Sequence, residues 1–207
     1  MTWAPRHLPE ILEALWEHLV LSFSSVAIGF AIALALGIVC ARRPRLYALV
    51  LTITGIIFVI PSLALFALLI PIMGLGTAPA ITGLSSYCLL ILLRNVVTGL
   101  RGVPAEVLDA ADGMGYSRTQ RLLRIELPLA LPLIVSGLRI ALVTVIGIAT
   151  VAAFIDGGGL GTIILTGLDQ DHIEKILVGA LLTAALATGM DIILGRGEKL
   201  LSRWRPA

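Results

Sequence analysis

Polar residues gather in a few short runs along this chain and leave long apolar stretches between them. Residues 19–41, 78–100, 129–155 and 176–195 each offer about the 20 apolar helical positions needed to cross a hydrocarbon core of about 30 Å. A fifth stretch, 46–73, is overlong and interrupted by Pro61 and Pro71, which predicts one kinked, tilted span or two short helices. Ahead of the first span, LPEILEALWEH places Glu10, Glu13 and Glu17 on one helical face and Leu8, Ile11, Leu12, Leu15 and Leu19 on the other. Residues 1–18 are therefore expected to form an amphipathic helix on the membrane surface, anchored by Trp16. Its acidic residues and its shortage of early basic ones do not suit a cleaved leader, so the mature chain is expected to begin near Met1.

Composition agrees with the pattern, since 58% hydrophobic and 14% charged residues cannot clothe a soluble domain. The expected fold is an all-α polytopic membrane protein, and the distribution of charge sets its topology. Arg42, Arg43 and Arg45 follow the first span; Arg101, Arg118, Arg121 and Arg124 lie between 100 and 129; Arg196, Lys199, Arg203 and Arg205 close the chain. All three clusters face the cytoplasm only if an even number of crossings separates them, so 46–73 must count once. Five transmembrane helices follow, over 19–195, with the N-terminus outside and residues 196–207 as a cytoplasmic tail.

Small residues predict how the helices pack. Gly29, Ala33 and Gly37 recur at four-residue spacing in the first span, and Gly179, Thr183, Ala187, Asp191 and Gly195 do so in the fifth. Asp191 on that stripe needs a cationic partner, and Arg139 and Arg94 lie at similar depth. A structural ion pair and a proton-coupling site are both possible; a location towards one end of the spans favours the pair. Cys40 and Cys88 lie in apolar stretches without paired spacing and indicate neither a disulfide nor a metal site.

The long polar run, PAEVLDAADGMGYSRTQRLLRIELP over 104–128, reads as two short helices and a turn. Pro104 suits a first helical position and Gly113 the residue past a helix end. Gly115 suits the turn, and Ser117 with Gln120 makes a capping box that starts the second helix. Within this run Asp109, Ala110, Ala111, Gly115, Ile125, Leu127 and Pro128 resemble the EAA loop of binding-protein-dependent ABC importer permeases. The spacing agrees throughout, with Asp109 where that family usually has Glu. The resemblance implies a coupling-helix knuckle between spans three and four that docks on a separate ABC ATPase subunit. It further implies a second permease copy or paralogue, a periplasmic or lipid-anchored solute-binding protein, and a place in the bacterial cytoplasmic (inner) membrane.

Across an outer loop, Gly157, Gly158, Gly159 and Gly161 lack the Lys-Ser/Thr of a phosphate-binding loop and read as a turn closing the bundle; this GGGLG element also resembles the corresponding permease loop. Asp169, Asp171 and His172 read as a solvated acidic loop, and no metal or cofactor is assigned. Neither lysine, Lys175 or Lys199, sits in a Walker frame, so ATP hydrolysis must belong to another chain and this one is no enzyme. Glu106, Asp109, Asp112 and Glu126 balance the knuckle arginines and argue against nucleic acid.

Residues 60–76, 92–103 and 154–161 resemble permeases for glycine betaine, choline and carnitine, and methionine-type permeases share the five-span plan. The aromatic residues Phe23, Phe30, Phe58, Phe66, Tyr87 and Phe154 are too scattered to cage a cation, so strong capture is expected of the binding protein. A rival class, an ion-coupled secondary transporter, predicts inverted repeats and an ionisable residue near a span centre, and the sequence displays neither.

Overall fold

The computed structural model describes residues 3–201, which are helical or in turns, with no strand among them. Arg203 and Arg205, and the second half of the expected cytoplasmic tail, lie outside the described residues. Among the described residues nine α-helices follow in order: α1 (Leu8–Ala41), α2 (Pro44–Val59), α3 (Ser62–Met73), α4 (Thr77–Arg101), α5 (Ala105–Gly113), α6 (Arg118–Arg121), α7 (Leu127–Ala149), α8 (Leu160–Asp169) and α9 (Ile173–Leu201).

Helix α1 corrects the first expectation: residues 8–18 are no separate surface helix but the opening turns of a continuous 34-residue helix. Nothing between Glu10 and Ile28 interrupts its hydrogen-bond ladder, for no Gly or Pro occurs there. At about 1.5 Å per residue the helix is about 50 Å long, well beyond a hydrocarbon core. The apolar face assigned to the membrane surface is divided, since Ile11 and Ala14 are buried against Leu160 and Ile163 of α8, whereas Leu8, Leu12 and Trp16 are exposed.

Stretch 46–73 is broken, with α2 and α3 meeting at a bend of 100°. Ile60, the residue before Pro61, is driven into an extended conformation (φ −62°, ψ 128°), which stops α2. Pro71, by contrast, lies within α3 without ending it. The pair nevertheless makes one passage from end to end of the bundle. At one end the Arg101 guanidinium donates to the Ala41 and Cys40 carbonyls, both at 3.1 Å, and lies over the Tyr47 ring, so α1, α2 and α4 share that corner. At the other, just beyond α3, the Gly76 N–H donates to the Ile155 carbonyl at 2.7 Å. With α1, α4, α7 and α9 this makes five crossings.

Helices α1, α4 and α7 enclose the core, built from Leu21, Val26, Leu84, Leu92, Leu142 and Ile146 among others. The small stripe of α1 faces α4: a Cβ on Gly29 would lie 2.7 Å from that of Cys88, and one on Gly37 would strike Val96. In α9 Gly179 meets Ile164 of α8, and Gly195 meets the Arg139 guanidinium of α7. At Gly29 and Gly179 the absence of a side chain lets helices approach closely, as small-residue stripes do in membranes, whereas at Gly195 it leaves room for the guanidinium.

Candidate functional site

Between α4 and α7 the chain forms the knuckle. Helix α5 starts one residue after Pro104 and continues through Gly113, a little beyond its expected limits. It closes in a Schellman motif: Tyr116 N–H donates to the Ala111 carbonyl at 3.2 Å and Gly115 N–H to that of Asp112 at 3.0 Å. Gly115 occupies the left-handed position of that motif (φ +82°), where a side chain would strain the backbone although open space surrounds it. Ser117 and Gln120 then form the expected capping box: Ser117 N–H donates to Gln120 Oε1 at 2.9 Å, and Gln120 N–H to Ser117 Oγ at 3.3 Å. A wider, π-helical turn over Leu122–Glu126 leads into α7, because Pro128 has no N–H to offer the Arg124 carbonyl. The end of α5 and the start of α6 are thereby both hydrogen-bonded within five residues.

Asp109 and Ala110 are exposed on α5, Ala111 is fully buried, and Ile125, Leu127 and Pro128 carry the chain into α7. Val107, Met114 and Leu123 add exposed apolar side chains to a segment otherwise rich in charge.

Four charges tie this knuckle to the bundle. Glu126, buried at the start of α7, accepts from Arg42 Nη2 at 3.0 and 3.2 Å and from Arg121 Nε at 3.1 Å. Arg121 also pairs with Asp112 of α5. One ionic chain therefore links the foot of α1, the root of α7, α6 and α5. Sequence reasoning did not identify Glu126 and Arg42 as partners. The available signal was a carboxylate between Ile125 and Leu127 at the edge of a span, where a charge requires a counter-ion.

The glycine loop closes the opposite end of α7. Gly159 N–H donates to Glu17 Oε2 at 2.8 Å, and Leu160 N–H to His18 Nδ1 at 3.3 Å. Since Nδ1 accepts, the proton of this buried imidazole is on Nε2, which donates to the Ile146 carbonyl of α7 at 3.0 Å. His18 thus fastens α1, α7 and the loop. Gly158 and Gly159 lie at φ +79° and +81°, and a side chain on Gly161 would run into the Thr150 carbonyl, with Gly157 nearly as crowded against Ala152. The roles of Glu17 and His18 also escaped sequence reasoning, because a lone histidine on a helix does not disclose its partners.

Arg139 and Asp191 are brought together as a bidentate pair, 2.6 Å from Nε to Oδ1 and 2.7 Å from Nη2 to Oδ2, with Glu198 at 3.3 Å from Nη1. Arg94 is not part of this group; it is exposed on α4 and has no ion pair among the described residues. The outer acidic residues are helix-end geometry: Asp171 is left-handed (φ 50°) and the His172 N–H donates to the Gly167 carbonyl. Among the aromatics, Phe66 is fully buried against Gly83, Phe58 meets Tyr87 edge to face at 5.8 Å, and the Tyr87 hydroxyl donates to the Ile60 carbonyl. These three rings are packing residues.

Residues 33–203 match the family described as the binding-protein-dependent transport system inner membrane component. The choline transport system permease protein OpuBB of Bacillus subtilis (strain 168) is 39% identical over 93% of this chain and 89% of its own length. The carnitine transport permease protein OpuCB of Listeria monocytogenes is 38% identical over 93% and 88%. The glycine betaine/carnitine/choline transport system permease protein OpuCB of B. subtilis is 37% identical over 96% and 92%. In structure the chain is similar to one from the MetNI methionine ABC transporter in an inward-facing conformation. That likeness has a TM-score of 0.83 at 26% identity and covers 97% of this chain and 99% of the other.

Proposed function

This chain belongs to the family of binding-protein-dependent transport system inner membrane components, and from that premise we propose that it carries small quaternary amines of the glycine betaine, carnitine and choline class. It is a multi-pass permease of the type I ABC importer fold, a transport subunit and not an enzyme. Membership implies an ATPase and a solute-binding partner in general. The observation that carries the substrate class is chain-wide similarity to permeases named for those solutes, at 37 to 39% identity in the three relatives described.

In the proposed assembly two permeases, identical or paralogous, sit in a bacterial inner membrane with two ATPase subunits inside and a periplasmic or lipid-anchored binding protein outside. Asp109, Ala110, Gly115, Ile125, Leu127 and Pro128, with buried Ala111 beneath them, frame the knuckle that seats on the ATPase. The ionic chain through Glu126 supports this reading, because a push on α5 or α6 passes through Arg121 to α7 and through Arg42 to α1. Gly157, Gly158, Gly159 and Gly161 form the outer closure, and the pair of Arg139 with Asp191 is a structural pin between α7 and α9. ATP binding and its loss each favour one of two states, which is how a ligand bound on one side moves a gate on the other.

Uptake of labelled choline, carnitine, glycine betaine and methionine, measured side by side in proteoliposomes with the cognate ATPase and binding protein, tests the substrate class. Accumulation of a quaternary amine and not of methionine is expected; the reverse would assign the chain to amino-acid import.

A further inference from the structure

At the foot of the first crossing, Arg42, Arg43, Pro44, Arg45 and Leu46 line a cleft of about 550 Å³. Arg42 is committed to Glu126. Arg43 and Arg45 are exposed, and their side chains have no ion-pair or hydrogen-bond partner among the described residues. Arg101 adds a further cation to the same corner through its contacts with Ala41, Cys40 and Tyr47. Glu126 is the one carboxylate that pairs with any of these four arginines among the described residues, so the corner holds an excess of positive charge.

The backbone adds to it. Helix α2 begins here with Pro44 in its first turn and no side-chain cap. Tyr47 N–H is satisfied by the Arg43 carbonyl at 3.0 Å. The first-turn N–H groups of Arg45 and Leu46 precede any residue that could accept from them within the helix. Uncapped N–H groups and the positive end of a 16-residue helix attract an anion, and guanidinium forks match the oxygens of a phosphate.

What decides between a free anion and an amphiphile is the surface that leads away from the cleft. Leu49, Ile53 and Ile56 are exposed and recur at helical spacing along α2, forming an apolar stripe that starts one turn beyond Arg45. The adjoining face of α2 is occupied, since Leu46, Tyr47 and Val50 pack on Cys40, Leu93 and Val97. A phosphate in the cleft with acyl chains along the stripe uses both features, whereas a free phosphate uses only the first.

We propose that the cleft formed by Arg42, Arg43, Arg45 and the N-terminus of α2 is a binding site for the headgroup of an anionic phospholipid in the cytoplasmic leaflet. Arg43 and Arg45 supply the attraction, and Arg42 borders the site while holding Glu126. The lipid thereby occupies the corner from which the knuckle's ionic chain departs.

The test is native mass spectrometry of the purified full-length permease in detergent, titrated with phosphatidylglycerol and with phosphatidylcholine of the same acyl chains. Phosphatidylglycerol is expected to bind at least about tenfold more tightly, as two otherwise unpaired arginines at a membrane surface would give. Arg43→Gln with Arg45→Gln should abolish that preference, and Arg6→Gln, on the outer side, should leave it unchanged. Inorganic phosphate at millimolar concentration should not displace the lipid. Equal binding of the two lipids to the wild-type chain overturns the site, whether or not the double variant can be purified. A preference that survives the double variant places the lipid elsewhere, and displacement by phosphate alone makes the cleft an anion site and not a lipid site.

Discussion

Arg42 and Glu126 are 84 residues apart in sequence, yet Arg42 Nη2 lies 3.0 Å from Glu126 Oε1. The contact joins the C-terminal end of the first helix to the root of the helix that leaves the knuckle. Side-chain exposure of 9% for Glu126 and 42% for Arg42 makes it a half-dry pair. Glu126→Gln leaves Arg42 without a carboxylate and Arg121 with Asp112 alone, and is expected to cost about 1 to 2 kcal/mol, below the range for fully buried pairs because Arg42 reaches water. Thermal unfolding should show that loss, and ATPase activity should respond less to loaded binding protein. A variant with unchanged unfolding temperature and unchanged stimulation would contradict the role given to this contact.

Gly115 separates backbone strain from steric fit, because nothing lies within 4 Å of a Cβ built there. The cost of replacing it is the left-handed conformation alone, about 1 to 2 kcal/mol for a β-branched residue and much less for Asn. Gly115→Val should therefore reduce ATP-driven uptake several-fold while Gly115→Asn stays close to the parent. Equal uptake by the two variants would remove this turn from the coupling path.

His18 serves two backbone groups at once, and His18→Leu removes the imidazole partner of both the Leu160 N–H and the Ile146 carbonyl in a buried place. A loss of about 1 to 3 kcal/mol is expected, with faster amide exchange over 157–161. Glu17→Gln, which keeps an acceptor for Gly159 N–H, should be mild. If both substitutions exchange alike, the imidazole is not the fastening described.

Topology has a direct chemical check. Cys40 and Cys88 are fully buried, so single cysteines can be introduced against a quiet background. Five crossings put Ser117 inside and Thr162 outside, both exposed. In intact cells an impermeant maleimide should label Thr162→Cys and spare Ser117→Cys; the opposite pattern would contradict the crossing number.

Where local chemistry determined structure, the sequence was legible. Ser117 with Gln120, Gly115 and the small stripes of α1 and α9 interact with neighbours or with helices of known period, so their roles follow from spacing. The 100° break at Pro61 was half legible, since proline rules announce an interruption but not its angle. Residues 8–18 were misread because amphipathicity does not reveal whether an apolar face meets lipid or another helix; here Ile11 and Ala14 meet α8, more than 140 residues away. Glu126 with Arg42, and His18 with Ile146, were invisible for the same reason: each partner is chosen by tertiary packing. Asp191 could be reasoned about only because a charge in a span demands a partner, and depth alone did not choose between Arg139 and Arg94.

ATP-dependent uptake tests the central claim most directly. With this chain, its ATPase and its binding protein in one liposome, a quaternary amine should accumulate against its gradient only when ATP is present inside the compartment that faces the knuckle. Omission of the ATPase should abolish uptake entirely. Accumulation by this chain alone, driven by a proton or sodium gradient without ATP, would contradict the account.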